Sequence, residues 1–182
     1  MYRIREGRRE EYPFIYRLIH SVWHQIGDNE IFVVGNESEE EFCAFLAEHG
    51  FALVAEYEED KEQEGYEEKT LAGVLVIYIL GVDEDNYGYK LGMTGDSLMR
   101  TANIDTAAVL PEHRGNRLEK QLFFAAEPIL RAKGICNLIC TISPDNLPSL
   151  KNAVNTGYRI IRTQEMYGGR KRHILLKEIA LS

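Results

Sequence analysis

Much that would point this chain of 182 residues toward a membrane, a disulfide framework or a polyanion is missing from it. Three cysteines are too few, and odd in number, to staple a fold, so reduced thiols are expected. The longest apolar run, Leu71 to Val82, has twelve residues including two glycines, too short to cross the ~30 Å hydrocarbon layer as a helix. The N-terminal MYRIREGRREE has no apolar core of a secretory signal, and a cytoplasmic location with no membrane partner is the expectation. Basic residues are the minority, 21 against 29 acidic, for a net charge of −8; that balance repels phosphate backbones and disfavours nucleic-acid binding. No Pro-rich or Gly/Ser-rich linker and no internal repeat divides the sequence. A single domain spanning 1–182 follows, since one core can grow to this size before splitting.

What is present is a globular composition, 45% hydrophobic and 27% charged, rich enough in apolar residues to rule out a disordered chain. Tyr2 to Arg5 reads as a short strand, and Glu10 to Trp23 carries Phe14, Ile15, Leu18, Ile19 and Val22 at helical spacing. Ser38 opens a capping-box pattern, S-E-E-E, for a second helix that Gly50 stops. Phe51 to Tyr57 and Thr70 to Leu80 read as strands. Between them, Glu56 to Lys69 holds eight acidic residues against two lysines, a solvated hairpin loop. A polar segment, Gly81 to Arg100, with a short helix after Thr94, leads to a strand at Thr101 to Val109. A helix follows from Leu118 to Gly134, with Pro128 placed to kink it. Asn137 to Ile142 is a strand and Asp145 to Thr156 a helix with Pro148 in its first turn. Tyr158 to Met166 and Arg170 to Ile179 pair across Gly168-Gly169. The string β-α-α-β-β-β-α-β-α-β-β is that of an α/β (α+β) fold, a mixed sheet with helices on both faces.

The chemistry concentrates where the strand NIDTAAV runs through LPEHRGNRLEKQL into an amphipathic helix. A glycine-containing turn feeding a helix N-terminus leaves several backbone N–H groups unpaired and adds the positive end of the helix dipole, a geometry that binds phosphates. The pattern P-E-x-R-G-N-x-L, followed by a helix, a strand, P-D-N-x-x-S and a Gly-Tyr pair, resembles the GNAT-type N-acetyltransferase superfamily over essentially the whole chain.

That resemblance implies an acyl-CoA N-acyltransferase-like sheet, mainly antiparallel with one splayed parallel pair, and acetyl-CoA as cosubstrate without a metal. Val109 and Leu110 would offer the exposed strand edge to the pantetheine arm. The turn Arg114-Gly115-Asn116-Arg117-Leu118-Glu119 would hold the pyrophosphate on its amides. The family signature [Q/R]-x-x-G-x-[G/A] has both small positions replaced, by Arg117 and Glu119. Arg117 can add a charge-assisted contact, while Glu119 suits the helix dipole but repels the ligand. Asn146 and Ser149 match the family's N-x-x-[S/A], and its usual Tyr, which protonates the departing thiolate, aligns with Ala153. A thiol of pKa about 8.5 leaves tolerably as thiolate, and Ser149, Tyr158 or water stand as candidates for the acid.

An acceptor ammonium of pKa about 10.4 must lose a proton before it attacks. By period-two alternation Asn103, Asp105, Ala107 and Val109 share a face, which makes Asp105 either the base or an organiser of neighbouring backbone. The reaction implied is acetyl transfer to a primary amine of a small molecule or peptide, by direct attack in a ternary complex. The alternatives are a GNAT-shaped module that binds CoA or a metabolite without turnover, and an interaction domain docking through the acidic loop. Edge strands near the C-terminus leave a homodimer open. His20 and His24 lack a third metal ligand, Cys136 and Cys140 read as buried thiols, His113 as exposed, and Arg170 to Arg172 as a solvated hairpin tip. Asp83, Glu84, Asp85, Tyr87, Tyr89 and Asp96 lie in the segment that lines the acceptor pocket in that family.

Overall fold

The computed structural model describes residues 1–26, 31–58 and 70–181. Among these residues, seven strands form one sheet: β1 (Tyr2–Glu6), β2 (Gly50–Tyr57), β3 (Thr70–Tyr78), β4 (Thr101–Val109), β5 (Asn137–Ile142), β6 (Arg159–Met166) and β7 (Arg170–Glu178). Helices α1 (Tyr12–Ile26), α2 (Glu39–His49), α3 (Asp96–Met99), α4 (Leu118–Ala132) and α5 (Leu147–Asn155) complete the regular structure. The order of elements is that expected from the sequence, with ends moved by a few residues. The acidic stretch lies outside the described residues from 59 to 69. Its first residue, Glu56, belongs to β2 and is buried against the Arg5 guanidinium at 2.9 Å.

Local chemistry explains the boundaries. The Ser38 side chain accepts from the Glu41 amide while the Glu41 carboxylate accepts from the Ser38 amide, closing the capping box that starts α2. Asn146 caps α5 by accepting from the Ser149 amide, with Pro148 in the first turn, where no N–H is missed. Helix α4 continues through Pro128.

The sheet order is β1-β2-β3-β4-β5-β7-β6, and every neighbouring pair is antiparallel except β4 with β5. Strands β2 and β3 are buried on both faces, hence their nearly continuous apolar sequence. One face packs Leu53, Leu75 and Ile77 against Leu122 and Leu130 of α4, and the other packs Val54, Val74 and Val76 against Ile15 and Ile19 of α1.

Two departures from regularity position the site. Strands β4 and β5 pair only from Thr101↔Asn137 to Asn103↔Ile139 and then part. Against β3, the register jumps so that Ile77 faces Ile104 while Val76 faces Thr106, which leaves Asp105 as the extra residue of a β-bulge. The bulge corrects the period-two expectation. One added residue inverts the alternation, so Ala102 and Ile104 share the α4 face with Ala107, whereas Asn103 bonds the Asp85 carbonyl and the Tyr87 amide. Asp105 therefore does not share a face with all of Asn103, Ala107 and Val109.

Candidate active site

A cavity of about 510 Å³ opens where β4 and β5 stop pairing, lined on one strand by Ile104 to Ala107 and on the other by Cys140 to Ile142. One end lies between α4 and α5, at Glu119, Asn146 and Ser149; the other runs under Phe42, Phe45 and Tyr78.

The turn after β4 gives the first end its character. Residues Arg114 to Arg117 are exposed, Gly115 takes φ +83° and Arg117 the left-handed φ +58°. The Asn116 side chain braces the turn by donating to the His113 carbonyl at 2.9 Å and the Tyr2 hydroxyl at 3.1 Å. Among the described residues, the amides of Gly115 to Lys120 meet no acceptor, while that of Gln121 is the first to bond back, to the Arg117 carbonyl. Six N–H groups thus lie without an acceptor at the positive end of a fifteen-residue helix, chemistry suited to a diphosphate. His113 is not the exposed residue expected: it is partly buried, bonded to the Tyr2 hydroxyl at 3.0 Å and packed on Tyr57.

The strand edge needs one correction. The Leu110 amide bonds the Ala72 carbonyl and so faces β3, away from the parted side. Alternation along the antiparallel ladder then directs the main-chain groups of Ala107 and Val109 toward the gap, and the Val109 carbonyl accepts from Arg114 Nε at 3.3 Å. Glu119 does not meet solvent phosphate head on. Its carboxylate turns inward, accepts from Asn152 Nδ2 at 2.7 Å and from Ser149, and burial raises its pKa against the pull of those two bonds. Leu118 is buried in a small cluster with Ala55 and Ala72, anchoring the helix start.

At the centre, the Asp105 carboxylate is open to cavity space yet ringed by protein. Desolvation raises its pKa, opposed by hydrogen bonds from the Thr106 hydroxyl at 3.0 Å and the Tyr87 hydroxyl at 3.0 Å. The Tyr87 oxygen lies 2.9 Å from that of Tyr167, which lies 3.0 Å from Thr141 Oγ1. This chain of hydroxyls spans the gap from β4 to β5. Tyr167 reaches it from the β6–β7 hairpin tip in a left-handed conformation, φ +50°. Ser149 lines the cavity, whereas Tyr158 lies in the core with its ring 5.5 Å from that of Phe123 and is not among the lining residues. Ala153, at the place of the usual Tyr, is likewise fully buried in that core.

Several lining residues had no distinctive sequence signal. Tyr167 sits one position before a Gly-Gly turn, a pattern that marks a hairpin and nothing more. Arg172 was expected in solvent but is buried at 2% exposure and lines the cavity; Cys140 lines it too, its thiol pushed up by burial away from thiolate. Among the described residues, no group of three or more His, Cys, Asp or Glu is arranged to hold a metal ion. Nor is any of their helices long and apolar enough to cross a membrane.

The parted parallel pair, the bulge and the turn define an acyl-CoA N-acyltransferase-like architecture, and the chain belongs to the acetyltransferase (GNAT) family, whose model matches residues 4–158. Its structure is similar to that of a GNAT-family acetyltransferase from Streptococcus pneumoniae, with TM-score 0.70, 15% identity, and 99% of this chain and 100% of that one covered. It also resembles the PaiA N-acetyltransferase of Thermoplasma acidophilum in complex with coenzyme A, with TM-score 0.61, 14% identity and coverage of 98% and 99%. The ribosomal-protein-S18-alanine N-acetyltransferase of Escherichia coli is similar at TM-score 0.64, 15% identity and coverage of 100% and 96%. At these identities the likeness is one of fold. No curated protein sequence matches the chain.

Proposed function

We propose that the chain, acting as one domain, transfers an acetyl group from acetyl-CoA to a primary amine of a small molecule or peptide. The observation that carries this reading is a cavity with the parted strands for walls, which holds Asp105 at its centre and reaches the first turn of α4 at Glu119, next to a turn whose six amides meet no acceptor among the described residues. The residues fit the cosubstrate: Gly115 to Glu119 would hold its diphosphate, and Val109, Asn146 and Ser149 would line its arm. The cosubstrate supplies an activated acyl group as a thioester.

Asp105 takes a proton from the acceptor ammonium, directly or through water, and frees the nitrogen lone pair to form the C–N bond. As the C–S bond breaks, the thiolate departs and takes up the second proton that the nitrogen gives up on becoming an amide, relayed by water or by Ser149. Outward main-chain groups of β4 stabilise the developing oxyanion, and holding both reactants in one cleft supplies about 7–11 kcal/mol of the barrier. The inward turn of Glu119 and the alanine at 153 favour one other reading, a module that binds CoA without turnover.

Calorimetric titration with acetyl-CoA, followed by thiol release over a panel of amines, tests both. Binding with release supports the enzyme, binding without release on any amine supports the module, and no binding at millimolar concentration ends both readings. Asp105→Asn is expected to lower kcat and flatten the acid limb of its pH profile. Unchanged turnover between pH 6 and 9 removes Asp105 from the mechanism.

A further inference from the structure

The acceptor end of the cavity is unequal in its chemistry. Phe42, Phe45 and Tyr78 line it, with the Phe45 and Tyr78 rings 5.0 Å apart and Phe45 exposed at 38%. Carboxylates line the cavity beside these rings: the exposed Glu37 just before α2, Glu41 in the first turn of α2, and Asp105 at the bulge. Against them, the one cationic side chain among the described lining residues is Arg172. It is 2% exposed, donates through Nη1 to the Lys171 carbonyl at 3.1 Å and lies over the Tyr167 ring at 5.9 Å.

Resting on the acetyl-transfer reading, we propose that the acceptor is a cationic amine on an apolar or aromatic body, with no carboxylate beside the amino group. The body packs on Phe42, Phe45 and Tyr78, while the ammonium faces Asp105 and the aromatic faces that favour cations. A carboxylate one carbon from that nitrogen would be set against Asp105 in a cleft that strengthens the repulsion, while Arg172 Nη1 already donates to the Lys171 carbonyl. The site thus discriminates by repulsion as well as attraction.

Matched pairs test this. With saturating acetyl-CoA, thiol release is measured for phenethylamine, phenylalanine methyl ester and phenylalanine, and for hexylamine against ethanolamine. The expected order places phenethylamine about 100-fold above phenylalanine in kcat/KM, the scale of one like-charge juxtaposition, with the ester between them. Hexylamine exceeds ethanolamine, and Glu37→Gln raises KM for phenethylamine while leaving that for acetyl-CoA unchanged. Turnover in which phenylalanine equals or exceeds phenethylamine, or ethanolamine equals hexylamine, overturns the substrate class while the enzymatic reading stands. If no amine yields thiol, that reading fails, and calorimetric binding of the same compounds decides the inference: selective uptake of phenethylamine supports it, and equal or absent uptake overturns it.

Discussion

Gly115 holds φ +83°, and a Cβ built on it meets nothing within 4 Å, so Gly115→Ala separates backbone conformation from steric clash. An L-residue in the left-handed region costs about 1–2 kcal/mol. In a chain of this length each kcal/mol lowers Tm by about 2–4 °C, so a fall of about 2–8 °C is expected. The chain can escape the strain by rotating the peptide into an ordinary conformation, which reorients the neighbouring amides. Each charge-assisted hydrogen bond lost is worth about 1.5–3 kcal/mol, so acetyl-CoA binding weakens by about tenfold or more. Gly134→Ala is the control. Gly134 takes φ +77° with equally open space but sits past the far end of α4, so it predicts the same loss of Tm with unchanged affinity. Thermal unfolding and calorimetric titration of both variants give the answer. Wild-type affinity in Gly115→Ala, or equal weakening in Gly134→Ala, refutes the role given to the turn.

Tyr87→Phe removes the hydroxyl that donates to Asp105 and holds its pKa down, so the acid limb of the kcat profile moves to higher pH. A limb that stays in place separates Tyr87 from the base. For Glu119, burial raises the carboxyl pKa in the folded state. The stability tied to its protonated form is present at low pH and lost as pH rises through the range above the ordinary value of 4.5. Glu119→Gln is therefore expected to gain Tm over wild type at pH 8 relative to pH 5, measured by calorimetry. Arg5 lies 2.6 Å from Glu11 and 2.9 Å from Glu56, half-buried, so Arg5→Met is expected to cost about 2–3 kcal/mol by denaturant titration. The Arg5 guanidinium lowers the Glu11 pKa, so that ion pair's contribution is whole above the ordinary value of 4.5 and fades as pH falls through the depressed one. The difference between wild type and Arg5→Met should shrink in that acid range.

Short-range rules made the elements legible in the amino-acid order. Apolar spacing marked α1 and α4, a reciprocal serine–glutamate cap started α2, a Gly-Gly pair turned β6 into β7, and a glycine before a helix marked the exposed amides. Each of those signals is carried within about four residues along the chain, the range over which backbone hydrogen bonds and helix faces are set. Asp105 could be selected from such a signal, but the face assigned to it could not. A bulge depends on how β3 and β4 register, and one extra residue inverts the alternation. The meeting of Tyr87, Tyr167 and Thr141 joins residues up to 80 apart in the chain. Whether Arg172 and His113 were buried or wet, and whether Tyr158 faced cavity or core, depended on what packed over them. Burial, unlike periodicity, is a property of the assembled layers, so these positions became decidable only when the sheet parted and its helices closed around the gap.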